Sequence, residues 1–189
     1  MSAGRDMGHN VRTVFLDRDG VLNEKAPEGE YVWRWQDFRI LDGVPEAIAK
    51  LNRAGILAIV VTNQRGVAQG RYTMADVAAL HAGFQKRLAE QGARIDAFYV
   101  CPHDYGECNC RKPLPGLFEQ AAAEFPEIDA QTSVMIGDSP VDMQFGQRLG
   151  MRTILIQDGV KGSELESAAA DMRCGSLRQA VEMLLETGS

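Results

Sequence analysis

Short apolar runs, rich in β-branched and aromatic residues, alternate along this chain with longer amphipathic stretches of helical periodicity. Each run is short and is followed by a polar residue or a glycine, which is typical of buried strands. Strands that alternate with helices of about ten residues form a parallel sheet with helices on both faces. The pattern predicts an α/β fold of three layers whose strands cover residues 11–16, 56–61, 97–100, 133–136 and 153–156.

Capping residues mark where the intervening helices begin. Thr73 followed by Asp76 has the form of a capping box, and Ser139 precedes a proline at the start of a further helix. Ser176 with Gln179 predicts the cap of the last helix. We place His81 on the exposed surface of the helix that follows Thr73.

Length and composition exclude several classes of protein. With 189 residues, 45% of them hydrophobic, the chain has the size and composition of one soluble domain that folds without disulfides or a partner subunit, and we expect a monomer. A net charge of −6 argues against a nucleic-acid partner. No apolar run approaches the roughly 20 residues of a membrane span, and residues 1–10, expected to be flexible, lack the apolar core of a signal peptide. We expect a single domain over residues 1–189, located in the cytoplasm and without membrane contact.

Carboxylates stand at the ends of the predicted strands. Asp17 and Asp19 follow the first strand, Thr62 follows the second, and Asp138 follows the fourth. In a parallel sheet these side chains meet at one edge, where such folds bind ligands. Three neighbouring carboxylates resist ionisation unless a cation lies between them, and oxygen ligands favour Mg²⁺. The alternative interpretation is that each residue is only a helix cap or turn former, which explains one of them better than the whole set.

Three cysteines and a histidine fall within ten residues. They are Cys101, His103, Cys108 and Cys110. Their donor types and number match a closed, structural Zn²⁺ site. The alternative is that the cysteines are small buried hydrophobes, but the residues between them are typical of a loop. We predict a zinc-binding loop at residues 101–110, which leads directly into Arg111 and Lys112.

Four segments resemble, in order, the motifs of the haloacid-dehalogenase (HAD) superfamily of phosphotransferases. They are FLDRDGVL at residues 15–22, VTN at 61–63, RKP at 111–113 and IGDSPVD at 136–142. One DxD pair would be a weak signal, whereas four ordered motifs are specific. The resemblance extends from about residue 11 to residue 156 and implies a Rossmann-like HAD fold with phosphoryl transfer through an aspartyl phosphate.

The resemblance also implies roles for the motif residues. Asp17 would be the nucleophile, and Asp19 would protonate the leaving oxygen and then deprotonate the attacking water. Thr62 and Lys112 would bind the transferring phosphoryl group. The catalytic Mg²⁺ would be held by Asp17, Asp138 and the backbone carbonyl of Asp19.

The cysteine–histidine loop narrows the resemblance. Together with RKP it is similar to the branch of the superfamily that contains D-glycero-D-manno-heptose 1,7-bisphosphate 7-phosphatases and histidinol-phosphate phosphatases, and residues 62–72 resemble the heptose group more closely. This implies a small phosphorylated sugar as substrate. No long insertion follows the first or second motif, so we expect no large cap domain. The candidate substrate-binding residues are Asn63, Gln64, Arg65, Arg111, Tyr31 and Ser139.

Two departures from that branch leave the substrate open. Gln69 stands where an arginine is frequent, and Ser139 stands where some members have a lysine. Asp142 is left with two interpretations, a place beside the metal and a solvated position in a first helical turn.

We therefore expect a Mg²⁺-dependent phosphatase that removes the 7-phosphate of the heptose bisphosphate. Hydrolysis of histidinol phosphate on the same machinery is the first alternative. The second, from another class, is a non-catalytic, zinc-stabilised binding module on a decayed scaffold, which the intact acidic motifs disfavour. A nucleic-acid 3′-phosphatase would share the motifs, but the acidic composition lacks the basic stripe that it needs.

Overall fold

Six parallel strands form the centre of the protein in a computed structural model, which describes residues 11–157 and 169–186. The strands are β1 (Thr13–Leu16), β2 (Leu57–Asn63), β3 (Ala97–Cys101), β4 (Ser133–Gly137), β5 (Arg152–Ile156) and β6 (Met172–Cys174). Their order across the sheet is β3-β2-β1-β4-β5-β6. Every neighbouring pair is parallel, which confirms the predicted α/β class.

Helices cover both faces of this sheet. They are α1 (Val44–Arg53), α2 (Met74–Ala89), α3 (Gly116–Glu124), α4 (Pro140–Leu149) and α5 (Leu177–Glu186). Because side chains alternate along a strand, Val14 and Leu16 of β1 pack on the face covered by α1, α2 and α5. Phe15 between them packs on the other face, with residues of α3 and α4. The three layers predicted from the sequence are confirmed.

The predicted helix caps are present, with one difference. The Thr73 hydroxyl accepts from the backbone N–H of Asp76 at 3.2 Å, and the Asp76 carboxylate accepts from the backbone N–H of Thr73 at 2.8 Å. The Ser176 hydroxyl accepts from the backbone of Gln179 at 3.2 Å. Ser139 holds the cap position of α4, but its hydroxyl donates to the Asp142 carboxylate at 2.6 Å instead of accepting from the helix. Because the buried Asp142 carboxylate needs hydrogen-bond donors, the Ser139 hydroxyl donates to it and does not cap the helix.

Three further features differ from the expectations. Strand β6 was not predicted, and β2 is longer at its carboxyl end than expected, so Thr62 and Asn63 belong to the strand. The placement of His81 on the surface was wrong, because its ring is buried and stacks on Phe98 at a centroid distance of 4.4 Å. The flexibility expected of residues 1–10 concerns a segment outside the described residues.

The strand order places a crevice beside β1. The chain leaves β1 towards β2 and β3, then returns to form β4 on the other side of β1. Doubly wound sheets bind their ligands where the order reverses in this way, beyond the carboxyl ends of the strands. Asp17 follows β1 and Asp138 follows β4, so the fold brings both to this crevice.

The connection between β1 and α1 forms one wall of the crevice. Its two ends are paired, since the Glu24 N–H donates to the Arg39 carbonyl at 2.8 Å and the Leu41 N–H to the Leu22 carbonyl at 3.0 Å. Its only helical turn is the 3-10 turn Trp35–Asp37. No cap domain is therefore inserted at this point of the chain. In the parts that the structure describes, no helix has the length and apolar character needed to span a membrane.

Candidate active site

Asp17, Asp138 and Asp142 lie together at the carboxyl ends of the strands and are called the acidic edge below. Lys112 contacts two of these carboxylates. Its ammonium donates to Asp17 Oδ1 at 2.8 Å and to Asp142 Oδ1 at 2.6 Å, and the residue is 3% exposed. Burial disfavours the charged ammonium and lowers the pKa of Lys112, but the carboxylates of Asp142 and Asp17 outweigh burial and raise it. Lys112 is therefore a permanent cation at the carboxyl ends of the strands.

Asp17 is the first residue after β1, and its surroundings disfavour the charged form of its carboxyl group. Burial raises its pKa to about 7; Lys112 lowers it, while the nearby carboxylates of Asp142, Asp138 and Asp19 raise it. A group in this position gains from any additional cation in the crevice.

Three carboxylates can face one ion. One oxygen each of Asp17, Asp138 and Asp142 lies within 4.8 Å of the others. Asp138 Oδ1 is buried and has no hydrogen-bond partner among the described residues, while Asp138 Oδ2 accepts from the Lys25 ammonium at 2.7 Å. Burial raises the pKa of Asp138, and Lys25 opposes this shift. All the donors are hard oxygens and one of them is unsatisfied, so the cluster fits a divalent cation of the Mg²⁺ type.

Asp142 is 1% exposed, which excludes the solvated position considered for it. It reaches over the end of β4 because Gly137 has no side chain, since a Cβ there would collide with the Asp142 carboxylate. The sequence showed the glycine and the aspartate, but not that the aspartate pairs with Lys112.

Asp19 is held by a network of donors. The Arg18 Nη2 group donates to both carboxylate oxygens at 2.9 Å, Asn23 donates to Oδ1 at 2.9 Å, and the Gln64 amide donates to Oδ2 at 3.0 Å. Arg18 is buried and also donates to the Val32 carbonyl at 2.6 Å. Sequence reasoning missed Arg18, although a charged side chain between two motif carboxylates was a usable signal.

Gln64, a candidate for substrate binding, has its amide fully engaged inside the protein. Its Nε2 group donates to Thr62 Oγ1 at 2.8 Å as well as to Asp19, and its Oε1 accepts from the Tyr72 hydroxyl at 2.6 Å. Burial raises the pKa of Tyr72 to about 12, which keeps its hydroxyl protonated as a donor. The structure thus places Gln64 where it orients Asp19 and Thr62.

Asn63 connects β2 to the backbone of Lys112. The Lys112 N–H donates to Asn63 Oδ1 at 3.0 Å, and Asn63 Nδ2 donates to the Lys112 carbonyl at 3.1 Å. Lys112 is thereby fixed at its main chain by an amide and at its ammonium by two carboxylates.

The four predicted zinc ligands converge on one point. The Cys101 and Cys108 sulfurs are 3.6 Å apart, the Cys108 and Cys110 sulfurs are 3.3 Å apart, and His103 Nδ1 lies 3.3 Å from the Cys110 sulfur and 3.8 Å from that of Cys101. Tetrahedral zinc with ordinary bond lengths separates such ligands by about 3.6–3.8 Å. The Cys₃His cluster is therefore compatible with zinc.

The thiols of this cluster differ in their titration. Burial raises the pKa of both Cys101 and Cys110. For Cys108, burial acts in the same direction, but hydrogen bonds from the Cys110 thiol and neighbouring backbone outweigh it and lower the pKa to about 7. A thiolate, the form that binds metal, is thus most accessible at Cys108.

A cavity of about 420 Å³ opens in front of the carboxylates. Five of the six candidate substrate-binding residues line it, namely Tyr31, Asn63, Gln64, Arg111 and Ser139. Arg65, the sixth, is not among the lining residues, because its guanidinium donates to Asp104 at 2.6 and 3.3 Å. Tyr105 belongs to the loop at residues 101–110, and its ring centre lies 4.6 Å from the guanidinium of Arg65 and 4.3 Å from that of Arg111. The loop therefore supports both arginines through cation–π contacts.

Comparisons with known proteins agree with this geometry. A HAD-hydrolase-like family model matches residues 109–180. The D-glycero-beta-D-manno-heptose-1,7-bisphosphate 7-phosphatase of Vibrio cholerae is 39% identical over 181 residues, covering 91% of this chain and 95% of the relative. A Mycobacterium tuberculosis enzyme named for the alpha anomer is 39% identical over 137 residues, which is 72% of each chain.

Solved structures give the same assignment. The D,D-heptose 1,7-bisphosphate phosphatase from B. bronchiseptica, crystallised with magnesium and phosphate, matches with a TM-score of 0.84 at 32% identity, over 93% of this chain and 99% of that one. The corresponding enzyme from Burkholderia thailandensis matches with a TM-score of 0.66 at 32% identity, over 90% of this chain and 96% of that one. At this level of identity and coverage, the chain belongs to the heptose-bisphosphate phosphatase family of HAD-like hydrolases.

Proposed function

We propose that this protein removes the 7-phosphate from D-glycero-D-manno-heptose 1,7-bisphosphate, with Mg²⁺ as cofactor and Asp17 as the nucleophile. The observation that carries the proposal is the buried Lys112 between Asp17 and Asp142 at the mouth of the cavity. Relatives named for this reaction, similar over nearly the whole chain, support the choice of substrate.

Asp17, Asp138 and the backbone carbonyl of Asp19 would hold Mg²⁺. The unpartnered Asp138 Oδ1 supports this assignment, because a buried carboxylate oxygen normally has a partner. Bound there, Mg²⁺ would neutralise charge between the nucleophile and the phosphate.

The chemistry of the protein residues divides hydrolysis into two steps. A carboxylate oxygen of Asp17 bonds to the phosphorus while the bond to the sugar oxygen breaks, and that oxygen takes its proton from Asp19. Asp19 then accepts a proton from the water that attacks the phosphorus, so phosphate leaves and Asp17 is restored.

Two further groups would bind the transferring phosphoryl oxygens. Lys112 supplies a fixed positive charge that offsets the charge spread over these oxygens. The Thr62 hydroxyl accepts from Gln64, which leaves its own hydrogen free to donate to the substrate. Arg111 and Tyr31, which line the cavity, would bind the remainder of the sugar phosphate.

The Cys101–His103–Cys108–Cys110 cluster would hold a structural Zn²⁺, which fixes the loop that carries Arg111 and Lys112. The distances between its donor atoms support this role. We further propose that residues 1–189 form one domain, that the protein is a monomer and that it acts in the cytoplasm, where thiols stay reduced.

Phosphate release from a panel of substrates tests the proposal. The panel contains both anomers of the heptose 1,7-bisphosphate, histidinol phosphate and a 3′-phosphorylated oligonucleotide. We expect kcat/KM for one heptose anomer to exceed that for histidinol phosphate by at least about tenfold, because a bisphosphate gains a second charge-assisted contact. A preference for histidinol phosphate would replace the heptose assignment with that alternative, and absence of turnover on every phosphate ester would favour the binding module.

A further inference from the structure

Lys25 forms an unusual ion pair at the edge of the active site. Its ammonium donates to Asp138 Oδ2 at 2.7 Å, across 113 positions of the chain. The Lys25 side chain is 58% exposed, whereas the Asp138 side chain is 15% exposed. A solvent-accessible cation thus neutralises a carboxylate that the sheet holds in the crevice.

The same carboxylate is a proposed ligand of Mg²⁺. Asp138 has one oxygen on Lys25 and one without a partner among the described residues. Asp17 and Asp142 also attract the Lys25 ammonium, so it lies in the field of the whole acidic cluster. Two cations that neutralise the same carboxylates bind in competition.

The main chain keeps Lys25 near the cavity whichever partner its ammonium has. Glu24, the preceding residue, is paired with Arg39 by a backbone hydrogen bond, and residues 25–32 line the cavity. An ammonium released from Asp138 therefore stays within reach of an anion bound there. Lys112, held by two carboxylates, is assigned to the transferring phosphoryl group, and Lys25 and Arg111 are the other lining cations that can add positive charge to the binding of a substrate anion.

We propose that Lys25 exchanges partners: it neutralises Asp138 in the metal-free protein and, once Mg²⁺ takes that carboxylate, binds the phosphate of the substrate. The role rests on the proposed function, because it requires the Mg²⁺ site and an anionic substrate. Partner exchange has a signature that damage to the fold does not produce. Loss of the ammonium strengthens Mg²⁺ binding and weakens phosphate binding, whereas a damaged site weakens both.

The test is Lys25→Gln, which removes the charge and keeps a polar side chain that is one bond shorter. Isothermal titration calorimetry measures the Kd of Mg²⁺ without phosphate, and then the Kd of inorganic phosphate at saturating Mg²⁺. We expect Mg²⁺ to bind about two- to fivefold more tightly, as for the loss of a competing, partly exposed ion pair. Inorganic phosphate should bind about three- to tenfold more weakly, because a charge-assisted contact is lost.

Arg111→Gln is the matched control, since it removes a cation that lines the same cavity without contacting Asp138. It should leave the Kd of Mg²⁺ within about twofold of the wild-type value. Equal tightening in both variants would overturn the proposal, because the effect would then be one of general charge. An unchanged or weaker Mg²⁺ affinity in Lys25→Gln, or an unchanged phosphate affinity, would also overturn it. A wild-type protein that binds no Mg²⁺ would instead refute the proposed function, and the exchange with it.

Discussion

The acidic edge and the cysteine–histidine loop are assembled in opposite ways. Asp17 and Lys112 are 95 positions apart and meet only because β1 lies at the centre of the sheet. The four donors of the loop lie within ten consecutive residues and converge through the path of one loop. The first cluster therefore depends on the whole sheet, whereas the second depends on local chain geometry and, in our proposal, on a metal.

The two clusters also differ in how their charge is balanced. At the acidic edge, carboxylates are countered by protein cations, Lys112 and Lys25. The cluster in the loop consists of three thiols and an imidazole and contains no lysine or arginine. Substitutions at the edge should thus act on chemistry while the fold persists, and substitutions in the loop should act on metal content and position.

Asp17→Asn should have the largest effect on turnover. An amide cannot attack phosphorus, so phosphate release should fall by at least about a thousandfold. Because burial already disfavours the charged form of Asp17, the melting temperature should not fall and zinc content should be unchanged. Asp37→Asn, an exposed aspartate in the 3-10 turn, is the control and should retain activity. Turnover within about tenfold of wild type would show that Asp17 is not the nucleophile.

Asp142→Asn tests whether the edge works as a unit. It removes one of the two carboxylates that hold Lys112, so kcat/KM should fall by about a hundredfold, as for the loss of a charge-assisted contact. Ser139→Ala is the matched comparison, since it removes the hydroxyl from the other oxygen of Asp142 and leaves the lysine pair. It should lose less than about tenfold. Equal losses in the two variants would contradict a special role for the Lys112 pair.

Arg111→Ala tests the residue that joins the cysteine–histidine loop to Lys112 of the acidic edge. Arg111 follows the last cysteine directly and lines the cavity. If it binds the distant phosphate of a bisphosphate, its loss should lower kcat/KM on the heptose bisphosphate by about tenfold and on histidinol phosphate by less. Steady-state kinetics on both substrates measure the difference. Equal losses would assign Arg111 to the transferring phosphate instead.

Cys108→Ser should separate the loop from the chemistry. Elemental analysis should find about one zinc per wild-type chain and much less in the variant, because a serine hydroxyl is a poor zinc ligand. Turnover should fall by less than about tenfold, since the acidic edge keeps its own contacts. Cys174→Ser, in β6, is the control and should keep its zinc. Wild-type protein purified without chelator and free of zinc would refute the structural site.

His81 extends the comparison to a buried titratable group that forms no ion pair with any of the described residues. Burial lowers its pKa to about 3, with a further lowering by Arg18 and a smaller opposing effect of Asp19. The unfolded chain binds a proton near pH 6.5, and the folded chain does not, so stability is complete above pH 6.5 and declines as the pH falls towards 3. The titration of His81 should therefore lower the free energy of unfolding by about 2 kcal/mol between pH 7 and pH 5.

Urea unfolding at pH 7 and pH 5 measures that loss. His81→Phe keeps a ring against Phe98 and removes the titration, so its stability should fall less than that of wild type between the two pH values. The carboxylates titrate in both proteins, which makes the difference between them specific to His81. Identical losses would show that His81 does not titrate in the unfolding equilibrium.

The sequence was sufficient where local rules decide the structure. Apolar runs predicted five strands, and the Thr73 pattern predicted its capping box. Strand β6 was missed because it has only three residues, one of them exposed, and pairs with β5 alone. His81 was misplaced although it lies four residues after Val77 and three before Phe84, on the buried stripe of α2.

Contacts between distant segments could not be predicted. An aspartate in the first turn of a helix is common at the surface, and Asp142 is buried only because Gly137 lets it cross the end of β4. Lys25 lies in a loop whose sequence carries no sign that its ammonium reaches Asp138. Such pairs are set by tertiary packing, which single-sequence patterns do not encode.

The paired ends of the loop between β1 and α1 make this wall of the cavity exchangeable. Backbone hydrogen bonds close the loop at Leu22–Leu41 and Glu24–Arg39, so the exposed residues 27–30 can change in length while the buried Val32 and Phe38 stay packed in the core. Doubling such a closed loop costs only about 0.6 kcal/mol in chain entropy. Asp17 and Lys112 lie outside the loop, so replacing residues 27–30, which line the cavity, would alter which ester enters while leaving bond cleavage to the same residues. The fold is in that sense a platform for redesigning specificity by loop replacement.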